Sequence, residues 1–371
     1  MKVLIIGMSN NPGGIESFIE GYYDNLKEFI TFDFMVFTET CVNYEKFISN
    51  GSKVFFIKSA QFKQYFKYKR ELKDFFDNNG KMYDAIWVNS CDLANSNILN
   101  YAKKSGIPKR IIHSHNSQFI QSGKRLLFYK FMHKIMQTKI SKMATDFWAC
   151  SDLAGEFFYN ESILKSNKYK IINNAIKISS FAFNDSIRSE YRKKLNLENK
   201  IVLGHVGRFH FQKNHQFLID IFSEVVKKSS DYHLVLVGKG EDKEIIKEKV
   251  HNLNLDEHVT FLGVRDDVSN LMQAMDIFVF PSLFEGLSVV LVEVQASGLT
   301  CFASQEAAPK MAQITENIKV LSLSDSAHEW ANSITNHIIK NNREKYYKDV
   351  RDAGYDIEHE ALKVKKLLME D

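Results

Sequence analysis

Short apolar runs alternate with longer amphipathic stretches along the first half of the chain. Val3–Ile6 reads as a buried strand, Gly7–Gly14 as a loop and Ile15 to about Lys27 as a helix. Strand-like runs return at Phe32–Phe37, Lys53–Ile57, Ala85–Asn89, Arg110–His113 and Phe147–Ala149. Apolar strands alternating with helices predict a parallel sheet covered on both faces. After a polar stretch, Asn173–Asp185, the pattern restarts. Strands are expected at Ile201–Val206, His233–Val237, Val259–Phe261, Ile277–Phe280 and Thr300–Ala303. Helices are expected at about 215–228, 242–253, 266–274 and 289–298. The tail, about 326–371, reads as helices without a strand. The expected class is α/β, with two Rossmann-like doubly wound domains, 1–178 and 179–371, and C-terminal helices. The two would face each other across a cleft at the carboxyl ends of their strands. The last helix, about 355–371, is a candidate to pack back on the first domain.

Composition narrows the class without naming it. The chain has 371 residues, 44% hydrophobic and 25% charged, which excludes a mainly disordered chain and leaves material for two cores. No apolar run approaches the ~18 residues of a membrane span. Val3–Ile6 is too short for a signal peptide, so a cytoplasmic location is expected. Cys41, Cys91, Cys150 and Cys301 lie far apart and form neither a zinc pattern nor a disulfide framework. The net charge of +4 hides an asymmetry: residues 1–178 hold 25 Lys+Arg against 16 Asp+Glu, and residues 179–371 hold 24 against 29. A basic half suggests that the first domain faces something anionic.

Candidate chemistry concentrates at two strand ends of the second half. Phe280-Pro-Ser-Leu-Phe-Glu285-Gly286-Leu287-Ser288 takes a buried strand through a Gly-containing turn into a helix. Free N–H groups at such a helix start suit phosphate. Glu285 and Glu293 lie eight residues apart, and paired carboxylates suit sugar hydroxyls, since each accepts two O–H hydrogen bonds. Upstream, Gly204-His-Val-Gly207-Arg208 runs on to Lys213-Asn214-His215, putting two cations on a loop beside a helix start. That arrangement suits a pyrophosphate leaving group. Gly238-Lys-Gly240 is a weak glycine loop, because the third glycine of the dinucleotide fingerprint is missing.

These residues resemble the retaining glycosyltransferases of family four, of the GT-B architecture and also known as glycosyltransferase group 1. Glu285 and Glu293 match the family's E-x7-E motif, Arg208 and Lys213 its G-R-x4-K-N segment, and Val237–Gly240 its V-G-x-G strand end. Phe261-Leu-Gly263-Val264-Arg265 resembles the segment that holds the base through backbone groups. In the first domain, Gly13-Gly14-Ile-Glu16 resembles a G-G-x-E element lining the donor sugar and acceptor. Paired glycines there would let the backbone approach a ligand. His115 is similar to a family histidine near the donor sugar, with Asn116 beside it, while His113 reads as a packed histidine. If the strand continues, His113 and His115 point to opposite faces. The capsular and exopolysaccharide subgroup is the nearest resemblance. Ser288, Val294 and Asn174 depart from the family's usual residues, and Asn174 stands where Gly is frequent, which a left-handed conformation would excuse.

The resemblance implies transfer of a sugar, with retention, from a nucleoside-diphosphate sugar to a hydroxyl. UDP is the family-weighted nucleotide, and no cofactor is implied. Arg208, Lys213 and the amides of Gly286, Leu287 and Ser288 would take the diphosphate, Glu293 the ribose and Glu285 the donor sugar. Gly207, Gly238 and Val264 would lie along the nucleotide. Glu16, His115 and Asn116 would serve the acceptor side. No D-x-D occurs, which argues for a metal-independent enzyme. The acceptor implied is a saccharide, lipid-linked in the subgroup's manner.

An anionic membrane surface is a further candidate partner. Residues 121–143 carry six Lys+Arg and no acid, with Phe128, Phe131, Met132, Ile135 and Met136 predicted on one helical face and Lys130 and Lys134 opposite. A second run, Lys63–Lys73, interleaves Lys with Tyr and Phe. The competing reading packs the apolar face into the domain core. The rival functions are a nucleotide-sugar epimerase of the same architecture and an inactive nucleotide-sugar-binding subunit. Nucleic-acid binding lacks a motif, and a dehydrogenase lacks its G-x-G-x-x-G.

Overall fold

The computed structural model describes the chain except residues 60–63, 95, 120–122, 286–287, 339–341 and 371, and the side chains of 123–125 and 311. Two compact units result. Met1–Ala175 with Ile357–Asp371 form the first, and Ile176–Asp356 the second. The sequence-based boundary at residue 178 lies just inside the second unit. There Ile176 pairs with Asp356, so the two passages of the chain run side by side.

The first unit is built on seven parallel strands: β1 Lys2–Ile6, β2 Thr31–Val36, β3 Val54–Phe56, β4 Ala85–Ser90, β5 Lys109–Ser114, β6 Asp146–Ala149 and β7 Tyr169–Ile171. Their order is β3-β2-β1-β4-β5-β6-β7. The central strands are continuous apolar runs because both faces are covered, and Val3, Leu4, Phe34, Ile86 and Ile112 are fully buried. Polar or half-buried residues occupy β7, an edge strand whose weak apolar signal the sequence reading passes over. The final helix, Ile357–Met369, buries Ile357, Ala361, Val364 and Leu368 against the helix Gly14–Leu26 and its neighbours. Ile357, Val364 and Leu368 each contribute about 1.5–3 kcal/mol. Lys109 Nζ donates to the Leu367 carbonyl at 2.6 Å and caps that helix's end.

The second unit repeats the plan with β8 Ile201–Val206, β9 Tyr232–Val237, β10 Val259–Gly263, β11 Ile277–Phe280, β12 Thr300–Ser304 and β13 Ile318–Leu321. The order β10-β9-β8-β11-β12-β13 is again wholly parallel. β13 is the second edge strand absent from the sequence reading. In both sheets the chain order reverses beside the first strand, at β1/β4 and at β8/β11. Loops leaving those strand ends part to opposite faces and leave a crevice.

The helix Gly123–Met143 corrects the predicted apolar face. Its buried stripe is His133, Met136, Ile140 and Met143, at helical spacing. Phe128 and Phe131 lie off that stripe and are exposed, as is Leu127. Met136 alone of the predicted face is fully in the core. No helix among the described residues is long and apolar enough to cross a membrane.

Candidate active site

At the switch point of the second unit, adjacent strands β8 and β11 send out loops that join. Leu283 N–H donates to the Gln212 carbonyl at 2.8 Å, and Gln212 Nε2 donates to the Phe284 carbonyl at 2.9 Å. This brings Lys213 Nζ to 2.6 Å from Glu285 Oε1, with side chains only 15% and 8% exposed. Lys213 also sits 4.8 Å from the centre of the Phe280 ring. Asn214, in the left-handed region at φ 54°, turns the chain from Lys213 into the helix His215–Val226. Arg208 stays mostly exposed and meets Glu241 at 3.2 Å. Glu241 therefore occupies the cation that the sequence reading assigns to a phosphate. No role for Glu241 was predicted.

The glycines behind this loop are needed for close approach. Gly238 has φ +142°, and a Cβ there would stand 2.0 Å from the Gly207 carbonyl oxygen. Gly207 N–H donates to the Val237 carbonyl at 2.9 Å and Gly238 N–H to that of Gly263 at 2.8 Å. The ends of β8, β9 and β10 are thereby bound into one floor, with Val264 exposed at its rim. Gly286 and Leu287 lie outside the described residues. Ser288 precedes the helix Val289–Ala296 with extended backbone and no side-chain cap, leaving its first N–H groups without that partner. Glu293 lies in this helix. Its carboxylate has no hydrogen bond or ion pair among the described residues, and burial pushes its pKa up to about 7.

At the switch point of the first unit, Gly13 caps the helix Gly14–Leu26 with extended backbone. A Cβ on Gly13 would stand 2.9 Å from Glu16 Oε2, whereas one on Gly14 would meet nothing among the described residues within 4 Å. Glu16 accepts from Ser9 Oγ at 2.6 Å, and burial raises its carboxyl above the ordinary value. The alternation expected of His113 and His115 does not occur: β5 ends at Ser114, and the two rings lie 4.2 Å apart. His115 Nε2 is 2.9 Å from Asn89 Oδ1. Trp87 Nε1 donates to His113 Nδ1 at 3.3 Å. Burial drives His115 down to about 3 and His113 well below its ordinary value, so both rings are neutral. Asn116 is buried, and its carbonyl accepts from Ser114 Oγ at 3.4 Å. Asn174 is absent from the positive-φ residues, so its departure from Gly is not excused by left-handed backbone.

The second unit thus gathers Lys213 and Glu285, with Arg208 on the same loop, and keeps Glu293 as a separate, half-buried carboxylate. The first unit gathers His113, His115 and Asn89. Among the described residues, no group of three or more His, Cys, Asp or Glu is placed to hold a metal.

A family model described as glycosyl transferases group 1 matches residues 187–356. A Bacillus subtilis (strain 168) protein with the provisional name glycosyltransferase EpsF is 31% identical over 340 residues, covering 90% of this chain and 86% of its own. The Escherichia coli UDP-Gal:alpha-D-GlcNAc-diphosphoundecaprenol alpha-1,3-galactosyltransferase is 28% identical over 207 residues, 55% of this chain and 53% of that one. Among solved structures, Anabaena Alr3699/HepE in complex with UDP-glucose superposes with a TM-score of 0.78 at 19% identity, covering 99% of both chains. The sheet orders, the joined loops at β8 and β11 and this likeness agree: the chain belongs to the group 1 glycosyltransferases and has their GT-B fold.

Proposed function

We propose that the enzyme moves a sugar, with retention and without a metal ion, from a uridine diphosphate sugar to a hydroxyl of a lipid-linked saccharide in capsular or exopolysaccharide synthesis. The observation that carries the reading is Lys213 held against Glu285 at a strand-order reversal. A cation and a carboxylate are thereby fixed where a charged, hydroxylated ligand enters such folds. The wording of the E. coli relative's name, with its UDP-Gal donor and diphosphoundecaprenol acceptor, supports the donor and acceptor classes. The HepE complex supports the nucleotide.

In this reading, Lys213 and Arg208 neutralise the diphosphate as charge grows on the leaving oxygen. Arg208 leaves Glu241 to do so. The amide of Ser288 assists, Glu293 accepts from ribose hydroxyls and Glu285 from the donor sugar. Gly207, Gly238 and Val264 line the nucleotide through backbone, and Gly13, Gly14 and His115 approach the sugar. Glu16 and Asn116 serve the acceptor. The leaving phosphate oxygen takes the acceptor's proton, so no carboxylate base is required, unlike glycoside hydrolysis. The membrane is met by Leu127, Phe128 and Phe131, which are exposed beside Lys130 and Lys134.

The test is thermal stabilisation by UDP, other nucleoside diphosphates and their sugars, with and without EDTA. The reading expects a selective shift with a UDP-sugar, unchanged by EDTA and lost in Lys213→Ala. Absence of any shift, from folded protein, would overturn it.

A further inference from the structure

The polar contacts at the β1/β4/β5 strand ends assign the tautomer of His115. Asn89 ends the apolar run of β4 and is 4% exposed. Its Nδ2 donates to the Ile6 carbonyl at 3.1 Å. A carbonyl can only accept, so the amide's orientation is settled and Oδ1 is what faces His115. Oδ1 in turn can only accept, so His115 Nε2, 2.9 Å away, carries the ring proton. With the ring neutral, Nδ1 is left as a lone pair.

His113 is set the opposite way. The Trp87 indole can only donate, so His113 Nδ1 is the acceptor and Nε2 carries the proton, buried without a partner among the described residues. One imidazole of the adjacent pair spends its lone pair inside the protein, and the other keeps its lone pair free. Gly7 completes the arrangement. It has φ +136°, and a Cβ there would stand 2.7 Å from Asn89 Cβ, so the close seating of Asn89 requires glycine.

We infer that Asn89 is a positioning residue that fixes His115 as a hydrogen-bond acceptor, so the bound sugar must turn an O–H or N–H group to it and a carboxylate is rejected. The inference rests on the glycosyl-transfer reading for its ligand, but not for the tautomer. A lone pair facing a carboxylate repels it, and a hydroxyl in the same place gains a hydrogen bond. Specificity set this way costs the enzyme nothing in buried charge.

Nitrogen-detected NMR of histidine-labelled full-length protein, assigned by His115→Gln, tests the first part. The expected result is one slowly exchanging ring proton on His115 Nε2. That proton is lost to rapid exchange in Asn89→Leu. A ring proton on Nδ1 in the wild type overturns the assignment. Kinetics with UDP-sugars lacking one hydroxyl at a time test the second part. One deoxy donor should lose about tenfold in kcat/KM in the wild type, and that loss should shrink to within about threefold in Asn89→Leu. A merely structural role for Asn89 lowers every donor alike, and that pattern overturns the specificity claim. A hexuronic acid donor used as well as the neutral hexose also overturns it. Should Asn89→Leu not fold, the wild-type ring proton and the wild-type uronate comparison still decide. Failure of every nucleotide sugar to react would sink the glycosyl-transfer reading, while the NMR arm would still judge the tautomer.

Discussion

Replacing Glu293 by Gln should stabilise the free protein and abolish its response to donor. The carboxylate is pushed up to about 7 by burial from an ordinary 4.5, and no described group compensates it. A rise of about 2.5 units corresponds to about 3 kcal/mol of penalty once the group is ionised, at ~1.4 kcal/mol per unit. The sign follows from the direction of the shift. Below pH 4.5 the carboxyl is protonated in folded and unfolded chains alike, and no penalty exists. Between 4.5 and 7 the unfolded chain ionises first, and stability falls as pH rises. Above 7 the full penalty applies. Gln has the shape of the neutral acid and escapes it. Scanning calorimetry at pH 8 should therefore place Glu293→Gln above the wild type by on the order of 10 °C, at ~2–4 °C per kcal/mol for a unit of this size. At pH 4 the two should nearly coincide.

Ligand binding should run the other way. An ionised carboxylate accepts two hydroxyls, whereas the amide offers one oxygen and two donors. UDP at a hundred times its dissociation constant stabilises the wild type by ~2.7 kcal/mol, and Glu293→Gln should lose most of that. Wild-type affinity for UDP should also weaken as pH falls below 7. A variant less stable than the wild type at pH 8, or a stability difference indifferent to pH, would refute the reasoning, because either requires Glu293 to be already compensated in the free protein.

Three further outcomes are expected. Lys213→Ala should lower kcat/KM by about 10²–10³ by removing charge from the leaving group. It should also cost about 3–5 kcal/mol in stability, because Glu285 is left buried and unpaired, and Glu285→Gln in the same chain should return part of this in a double-mutant cycle. Gly238→Ala should cost at least about 2 kcal/mol in urea titration and weaken UDP binding, since its Cβ would meet the Gly207 carbonyl at 2.0 Å and its φ is +142°. Leu127→Ser with Phe131→Ser should reduce sedimentation with anionic vesicles severalfold and leave thermal stability within about 0.5 kcal/mol, since both side chains are exposed.

The elements legible in the sequence were those whose pattern and burial have one cause. Central strands such as β1 and β11 are apolar throughout because helices cover both faces, so a run of hydrophobic residues identifies them. The edge strands β7 and β13 lack that cover and carry Lys170 and Lys319, which erase the run. The helix Gly123–Met143 misled for a related reason. Apolar residues occupy more than one of its faces, and periodicity does not say which face the core takes; His133 belongs to the buried stripe although it is polar. In the site, the motif spacing located Lys213 and Glu285 but not their meeting, which depends on the pairing of β8 with β11. Asn89 carried no signal. Its importance comes from two obligate hydrogen-bond roles that only the fold brings together.

Charge arithmetic separates two tasks that the sequence had run together. Counted by structural unit, the first holds 27 Lys+Arg against 20 Asp+Glu, and the second 22 against 25. The cations assigned to the diphosphate nevertheless lie in the acidic unit. Net charge does not locate that site, because exposed charges are screened within ~8 Å at physiological salt. In the proposed reading Lys213 acts as a largely desolvated cation fixed by Glu285, and the net charge of its unit plays no part. The surplus of the first unit therefore needs another explanation. Among the described residues, Lys130, Lys134 and Lys139 enter no ion pair, and the first two flank the exposed Phe128 and Phe131. Cations without partners around exposed aromatic groups are costly in isolation and useful against an anionic, apolar boundary. Under the proposed function, the basic surplus would serve the acceptor's surroundings and the local pair at β8 the donor.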